Sequence, residues 1–277
     1  MSVIKVDSLT RDYGGQKGVF DVSFHVDQGE AFGFLGPNGA GKTTTIRHLM
    51  GFLKPKAGSC TIDGLDCWHK REQVQARLGY IPGEISFFED MSGTEFLKFI
   101  AEYRRIGSLN RRDELLERFA LDPKGRIKKM SKGVKQKLGI VAAFMHDPDI
   151  LILDEPTSGL DPLMQSRFID LIAEEKKHGK TILMSSHMFE EVERTCDRIG
   201  IIRNGRMVAV DATAALRERH TRRYTVTLGN EAEARAFALD FNGVCNGLEV
   251  TVTTKQSLEE IFMNYYGGEN HAEHGTV

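Results

Sequence analysis

The sequence has no long apolar run. Nowhere in its 277 residues do apolar side chains continue for the roughly 20 positions that a bilayer-spanning helix needs, so a membrane role has to come through a partner. It opens Met1-Ser2-Val3-Ile4-Lys5, with no apolar signal core. Cysteine is scarce: Cys60, Cys67, Cys196 and Cys245 form neither a C-x-x-C pair nor a metal-ligand cluster, which argues against catalytic thiol chemistry and fits reduced thiols in a cytosolic protein. Net charge is also nearly absent. With 37 Lys and Arg against 39 Asp and Glu, a formal −2, no overall basic field marks a nucleic-acid partner, and none is expected. Repeats and low-complexity segments are missing as well. What remains, at 40% hydrophobic composition, suffices for one sizeable core and a smaller appended unit.

Periodicity sorts that material into elements. Ile4 and Val6, then Val22, Phe24 and Val26, alternate with polar residues around a turn at Gly14-Gly15, predicting two strands at an antiparallel edge. Ala31 to Leu35 is a short apolar run entering a Gly-rich loop, and Thr44 to Leu53 reads as the helix that follows. Phe96, Leu97, Ile100 and Tyr103 recur at helical spacing over Gly93 to Tyr103, and Leu115, Leu116 and Phe119 continue the pattern as an all-helical insertion. Ile150 to Leu153 and Thr181 to Met184 have the length of buried parallel strands. Beyond about Ala214, Tyr224, Val226 and Leu228 alternate, as do Leu248, Val250 and Val252. Ser257 is placed to cap a helix through Tyr265, and a frayed tail follows from Gly267.

The chemistry gathers at the strand ends. Gly36-Pro37-Asn38-Gly39-Ala40-Gly41-Lys42-Thr43 satisfies G-x-x-x-x-G-K-[ST] between a predicted strand and a predicted helix, the context the motif requires. Its glycines let successive N–H groups converge on phosphate oxygens, and the helix adds its positive end. Gly36, Asn38, Gly39, Ala40, Gly41, Lys42 and Thr43, with Thr44 following, are the candidate nucleotide contacts. Lys42 neutralises phosphate charge, and the Thr43 hydroxyl suits Mg²⁺. Ile150 to Leu153 runs into Asp154-Glu155 at the carboxyl edge of its strand, where open α/β sheets bind ligands. Asp154 suits the Mg²⁺ shell. Glu155 is the candidate general base for the water that attacks the γ-phosphate. His187 ends the next such strand, after Ser185-Ser186, and is the second candidate catalytic residue, placed to contact the γ-phosphate or the water.

The phosphate loop, Met130-Ser131-Lys132-Gly133-Val134, Leu153-Asp154-Glu155-Pro156, Ser158-Gly159-Leu160-Asp161 and His187 together resemble the ATP-binding cassette (ABC) ATPases, from about Val3 to Asp211. The resemblance implies an α/β P-loop NTPase (RecA-like) core with an antiparallel β edge and an α-helical subdomain over about 86–148. Together these make a nucleotide-binding domain of residues 1–214, with a small αβ extension over 215–277. It implies ATP and Mg²⁺ as ligands, Tyr13 as the aromatic on adenine, and Ser131 and Gly133 as contacts to ATP held by a second cassette. That cassette is another copy of this chain or a related subunit. The implied partner is a separate transmembrane permease subunit, which places the chain on the cytoplasmic face of the membrane.

Three residues depart from the family's pattern: Lys132 stands where glycine is common, Val134 where glutamine is common, and Gly83 where a glutamine usually senses Mg²⁺. In the family that glutamine also couples to the membrane domain, and Glu84 is the expected substitute in the coupling contact. Phe87 and Phe88 lie in the region that in this family faces the permease; packing of the helical insertion explains them equally well. The ending Ser257 to Gly267 resembles ATPase subunits of drug, antibiotic or polysaccharide exporters. A soluble cassette ATPase working on DNA or ribosomes and a regulatory nucleotide-binding module are the competing readings. A single phosphate loop with no long heptad run weighs against the first, and Glu155 and His187 weigh against the second.

Overall fold

The computed structural model describes residues 1–219 and 221–255, which fall into two compact units, Met1–Val210 and Asp211–Val277. The first opens with β1 (Ser2–Asp12) and β2 (Gly18–Asp27), an antiparallel pair in which Ile4 faces Val26 and Val6 faces Phe24. Alternation turns Ile4, Val6, Leu9, Val22, Phe24 and Val26 inward, as the pattern requires. β3 (Ala31–Leu35) and α1 (Lys42–Leu49) follow, then β4 (Ala57–Ile62) and β5 (Leu65–Asp66), which complete an antiparallel sheet of order β2-β1-β4-β5. α1 begins two residues earlier and ends four residues earlier than its apolar pattern suggests. Gly41 (φ 114°) turns the chain directly into Lys42, and Gly51 (φ 68°) ends the helix in a left-handed conformation.

Next come α2 (Arg71–Ala76), β6 (Leu78–Ile81), α3 (Gly93–Tyr103), α4 (Asn110–Arg118), α5 (Lys132–Phe144), β7 (Ile150–Asp154), α6 (Pro162–Lys177), β8 (Thr181–Ser186), α7 (Phe189–Thr195), β9 (Arg198–Arg203) and β10 (Arg206–Ala212). Side chains set several helix starts. Ser92 and Glu95 form a capping box on α3, Ser131 caps α5, and Asp161 caps α6 with Pro162 just inside it. The second sheet has the order β10-β9-β3-β8-β7-β6, and β9, β3, β8, β7 and β6 run parallel. β3, β7 and β8 are buried along their whole length, which explains their unbroken apolar runs. The core joins the two sheets through Phe24, whose ring lies 5.2 Å from those of both Phe32 and Phe34, with Ile46 and Leu49 of α1 in the same cluster.

The second unit holds α8 (Thr213–Arg219), β11 (Thr221–Thr227), α9 (Glu231–Asp240), β12 (Val244–Asn246) and β13 (Glu249–Lys255), with sheet order β11-β13-β12. Tyr224 pairs with Val252 and Val226 with Val250, and Ala234 of α9 packs on Val250 and Val252. The sequence pattern anticipates β11 and β13 but not α9. The expected helix from Ser257 and the tail from Gly267 lie outside the described residues.

Candidate nucleotide site

β3 delivers its chain to the loop at Gly36, where no side chain fits: a Cβ there would stand 2.5 Å from the Ile202 carbonyl oxygen. Gly39 (φ 80°) and Gly41 hold left-handed backbone that other residues adopt only under strain. Pro37, Asn38 and Gly39 are exposed; Ala40 is buried, and its carbonyl accepts the Gly205 N–H at 2.9 Å. Thr43 and Thr44 are half-buried on the first turn of α1. Lys42 is almost fully buried and curls back over its own loop. Its Nζ donates to the Gly36 carbonyl at 2.6 Å and the Pro37 carbonyl at 3.1 Å, and stands 3.4 Å from Glu155 Oε1. Burial pulls the ammonium below the usual lysine range, while Glu155 and Asp154 pull it back up.

Asp154 ends β7 and is wholly buried. Its Oδ1 accepts the Ser185 hydroxyl at 2.5 Å, whereas Oδ2 has no hydrogen-bond partner among the described residues. A Cβ on Gly83 would stand 3.1 Å from that free oxygen, so the missing side chain at position 83 leaves room beside it. A buried carboxylate oxygen without a partner is costly, and a cation is the partner its charge invites. Among the described residues no group of three or more His, Cys, Asp or Glu gathers into a metal cluster. A hard ion taking few protein oxygens and completing its shell with phosphate and water therefore fits the donor set.

Glu155, at φ 47°, turns the chain sharply off the strand, and its N–H donates to both the hydroxyl (3.1 Å) and the carbonyl (3.2 Å) of Ser185. Its carboxylate then lies between Lys42 and His187, whose Nδ1 is 3.4 Å from Oε2. Ser185 thus orients both acids. Its signal in the sequence is a pair of serines ending a buried apolar strand just before His187.

The remaining candidates sit elsewhere. Ser131 Oγ accepts the Val134 N–H at 3.4 Å, and a Cβ on Gly133 would come within 2.7 Å of the Gly159 carbonyl oxygen. The structure therefore places Gly133 against the turn that leaves Glu155, with Gln136 donating to the Pro156 carbonyl at 2.6 Å, while Ser131 caps its own helix. Tyr13 is 52% exposed on the β1–β2 turn rather than packed into the sheet, with the Arg11 guanidinium 5.5 Å from its ring centre. Glu84 is exposed as well.

A groove of about 280 Å³ runs between the parallel sheet and the helices, lined by Phe52, Tyr80, Ile85, Phe87, Phe96 and His146 among others. Phe87 rests edge-on against Phe96 of α3 (5.0 Å) and Phe88 against Phe99 (5.8 Å), while Phe88 and Tyr103 remain largely exposed.

A glycine-cradled loop between a buried parallel strand and a helix, facing an acid pair on a nearby strand, is the site of a P-loop nucleoside triphosphatase. Comparison narrows the class. The family model described as ABC transporter matches residues 19–158. The chain is 38% identical over 238 residues to the bacitracin transport ATP-binding protein BcrA of Bacillus licheniformis, covering 84% of this chain and 77% of that one. It is 39% identical over 224 residues to the Nod factor export ATP-binding protein I of Paraburkholderia xenovorans, covering 78% and 72%. A solved structure described as the ATP binding subunit of an ABC transporter matches with a TM-score of 0.75 at 30% identity, covering 96% of this chain and 100% of that one. The chain belongs to the ABC transporter family, as one of its ATP-binding subunits, and its reaction is ATP hydrolysis.

Proposed function

We propose that this ATPase drives an exporter: two cassettes close on two ATP molecules and pass that motion to a separate membrane-spanning permease at its cytoplasmic face. The observation that carries the hydrolytic part is the convergence of Lys42, the free oxygen of Asp154, Glu155 and His187 at the carboxyl ends of neighbouring parallel strands. A triphosphate entering the loop offers Lys42 a charged partner in place of two neutral carbonyls, so the ammonium moves to the phosphate and leaves Glu155 free. Glu155 then takes the proton of the attacking water as its oxygen bonds to the γ-phosphorus and ADP departs. His187 holds that carboxylate and meets the γ-phosphate. Thr43 and Asp154 would hold Mg²⁺, which when bound would neutralise charge on the phosphate oxygens. The exposed ring of Tyr13 takes the adenine. Ser131 and Gly133 serve the ATP of the opposite cassette, which is a second copy of this chain or a related subunit.

Export is the direction suggested by the Nod factor export relative. Among the described residues no helix is long and apolar enough to cross a membrane. Relatives named as ATP-binding proteins of transport and export systems support a permease on a separate chain. The groove beside Phe87, with its exposed aromatic edge, is the surface offered to a cytoplasmic helix of that permease. The test is purification of Glu155→Gln protein from detergent-solubilised native membranes in the presence of ATP. Co-purification of a polytopic membrane protein supports the reading; recovery of soluble partners alone overturns it.

A further inference from the structure

Glu191 is an acid in a place where charge is costly. It lies on the first turn of α7, four residues after His187, and is 3% exposed. Its Oε2 accepts the Ser186 hydroxyl at 2.6 Å, and the same hydroxyl oxygen accepts the Met188 N–H at 2.9 Å. Carboxyl, hydroxyl and backbone thereby close around the turn from both sides of His187. Oε1 is buried with no hydrogen-bond partner among the described residues. Glu191 also lines a cavity of about 170 Å³ with Thr157, which stands two residues past Glu155. Burial is the main influence on the carboxyl and raises it above its ordinary range; Ser186, Thr157 and His187 draw it down, and Glu155 raises it. An apolar side chain of the same size would fill the space but take the acceptor away from the Ser186 hydroxyl, so the role of the acid lies in that hydrogen bond and in the turn it ties down.

We propose that Glu191 is a positioning residue for ATP hydrolysis: through Ser186 it fixes the turn that presents His187, and it abuts the Thr157 loop leading from Glu155. The inference rests on the roles assigned above to Glu155 and His187. It explains why His187, half exposed on a short turn, keeps its ring against Glu155: the backbone on either side is tied to one buried group. The requirement is a neutral or charged acceptor of the right reach, not a charge as such. Glutamine retains the acceptor oxygen at the same length. Leucine retains the volume and loses the acceptor.

The experiment is ATP turnover by purified chain carrying Glu191→Gln, Glu191→Leu, His187→Ala and the His187→Ala/Glu191→Leu pair, with nucleotide affinity and thermal midpoint measured alongside. The expected result is near wild-type kcat for Glu191→Gln and a kcat about ten- to a hundred-fold lower for Glu191→Leu, the scale of a misplaced reacting group, with ATP affinity kept. The double variant is expected to be no slower than His187→Ala alone, because one role acting through the other does not add. Wild-type kcat in Glu191→Leu, equal losses in Glu191→Gln and Glu191→Leu, or additive losses in the double variant would each overturn the proposal. Should Glu191→Leu not fold, Glu191→Thr, too short to reach Ser186, replaces it in the same cycle. Wild-type turnover by His187→Ala is a separate failure: it removes the role of His187 itself, and the positioning role with it.

Discussion

Lys132 Nζ donates to Ser158 Oγ across 2.9 Å, and its stem lies against Gly159, where a Cβ would meet it at 3.0 Å. The contact joins the first turn of α5 to the turn leaving Glu155. It is exposed, so its worth is small: a double-mutant cycle of Lys132→Met and Ser158→Ala in urea is expected to give a coupling of about 0.5 kcal/mol. Gly159→Ala is different. At φ 82°, beneath the lysine stem, the added methyl is both strained and crowded, and a loss of about 1–3 kcal/mol is expected in the same assay.

Glu155→Gln removes the proposed base while keeping the shape. Turnover is expected to fall about 10²- to 10⁴-fold, with ATP still bound through Lys42 and the glycine loop. Light scattering with and without ATP is expected to show a nucleotide-dependent dimer, because closed pairs accumulate once hydrolysis stops. A monomer at saturating ATP would contradict the sandwich.

Ser185→Ala strips Asp154 of its hydrogen-bond donor and weakens the hold on the Glu155 N–H, which keeps the Ser185 carbonyl. The cost to stability is expected to be about 1–3 kcal/mol. The more telling measurement is the Mg²⁺ concentration for half-maximal turnover. It should rise several-fold as Asp154 loses its fixed orientation. An unchanged Mg²⁺ requirement would argue against Asp154 as a ligand.

His146 sets a pH dependence. Burial, then Arg104, pushes its imidazole down to about 4, and its Nδ1 has no hydrogen-bond partner among the described residues. A histidine whose folded value lies below its unfolded one leaves stability intact above about pH 6.5 and erodes it as pH falls toward about 4, because the unfolded chain takes the proton first. Going from pH 8 to pH 5 should cost about 2 kcal/mol at this residue. His146→Gln is therefore expected to flatten the fall in thermal midpoint over that interval by a few degrees.

Phe88 rests on Phe99 and is 59% exposed, at the edge of the surface proposed for the permease. Phe88→Ala is expected to leave the ATPase of the isolated chain within about two-fold of wild type, since exposed substitutions shift stability little. The same variant should lose co-purification with the permease. Retained co-purification would move the docking surface elsewhere.

Legibility in the sequence tracked burial and local chemistry. β3 and α3 matched their runs residue for residue because one is wholly buried and the other carries a clean stripe and a capping box. The phosphate loop was readable because backbone geometry there demands glycine. β4 escaped notice, since Ala57-Gly58-Ser59 is exposed and only Cys60 and Ile62 turn inward. α9 escaped too: among the residues of Glu231–Asp240 only Ala234 is buried, too little to make a stripe. The roles of Ser185 and Glu191 were not legible for another reason: Ser185 acts on Asp154 of the neighbouring strand, a relation that exists only after β7 and β8 have paired, and Glu191 acts on Ser186 across the turn between β8 and α7, which has to fold back to bring them together.

The pairing itself carries a consequence. Leu35 lies beside Ser186 on β8, and Asp154 of β7 lies beside Ser185, so the loops bearing Lys42, Glu155 and His187 all leave the sheet at one level. Because side chains alternate every residue, a slip of one place along β8 would turn Ser185 away from Asp154 and carry His187 past Glu155. ATP can recognise only the aligned arrangement. Nucleotide affinity in this chain is therefore also a gauge of correct assembly, and ATP present during folding would select the properly zipped sheet from its near misses.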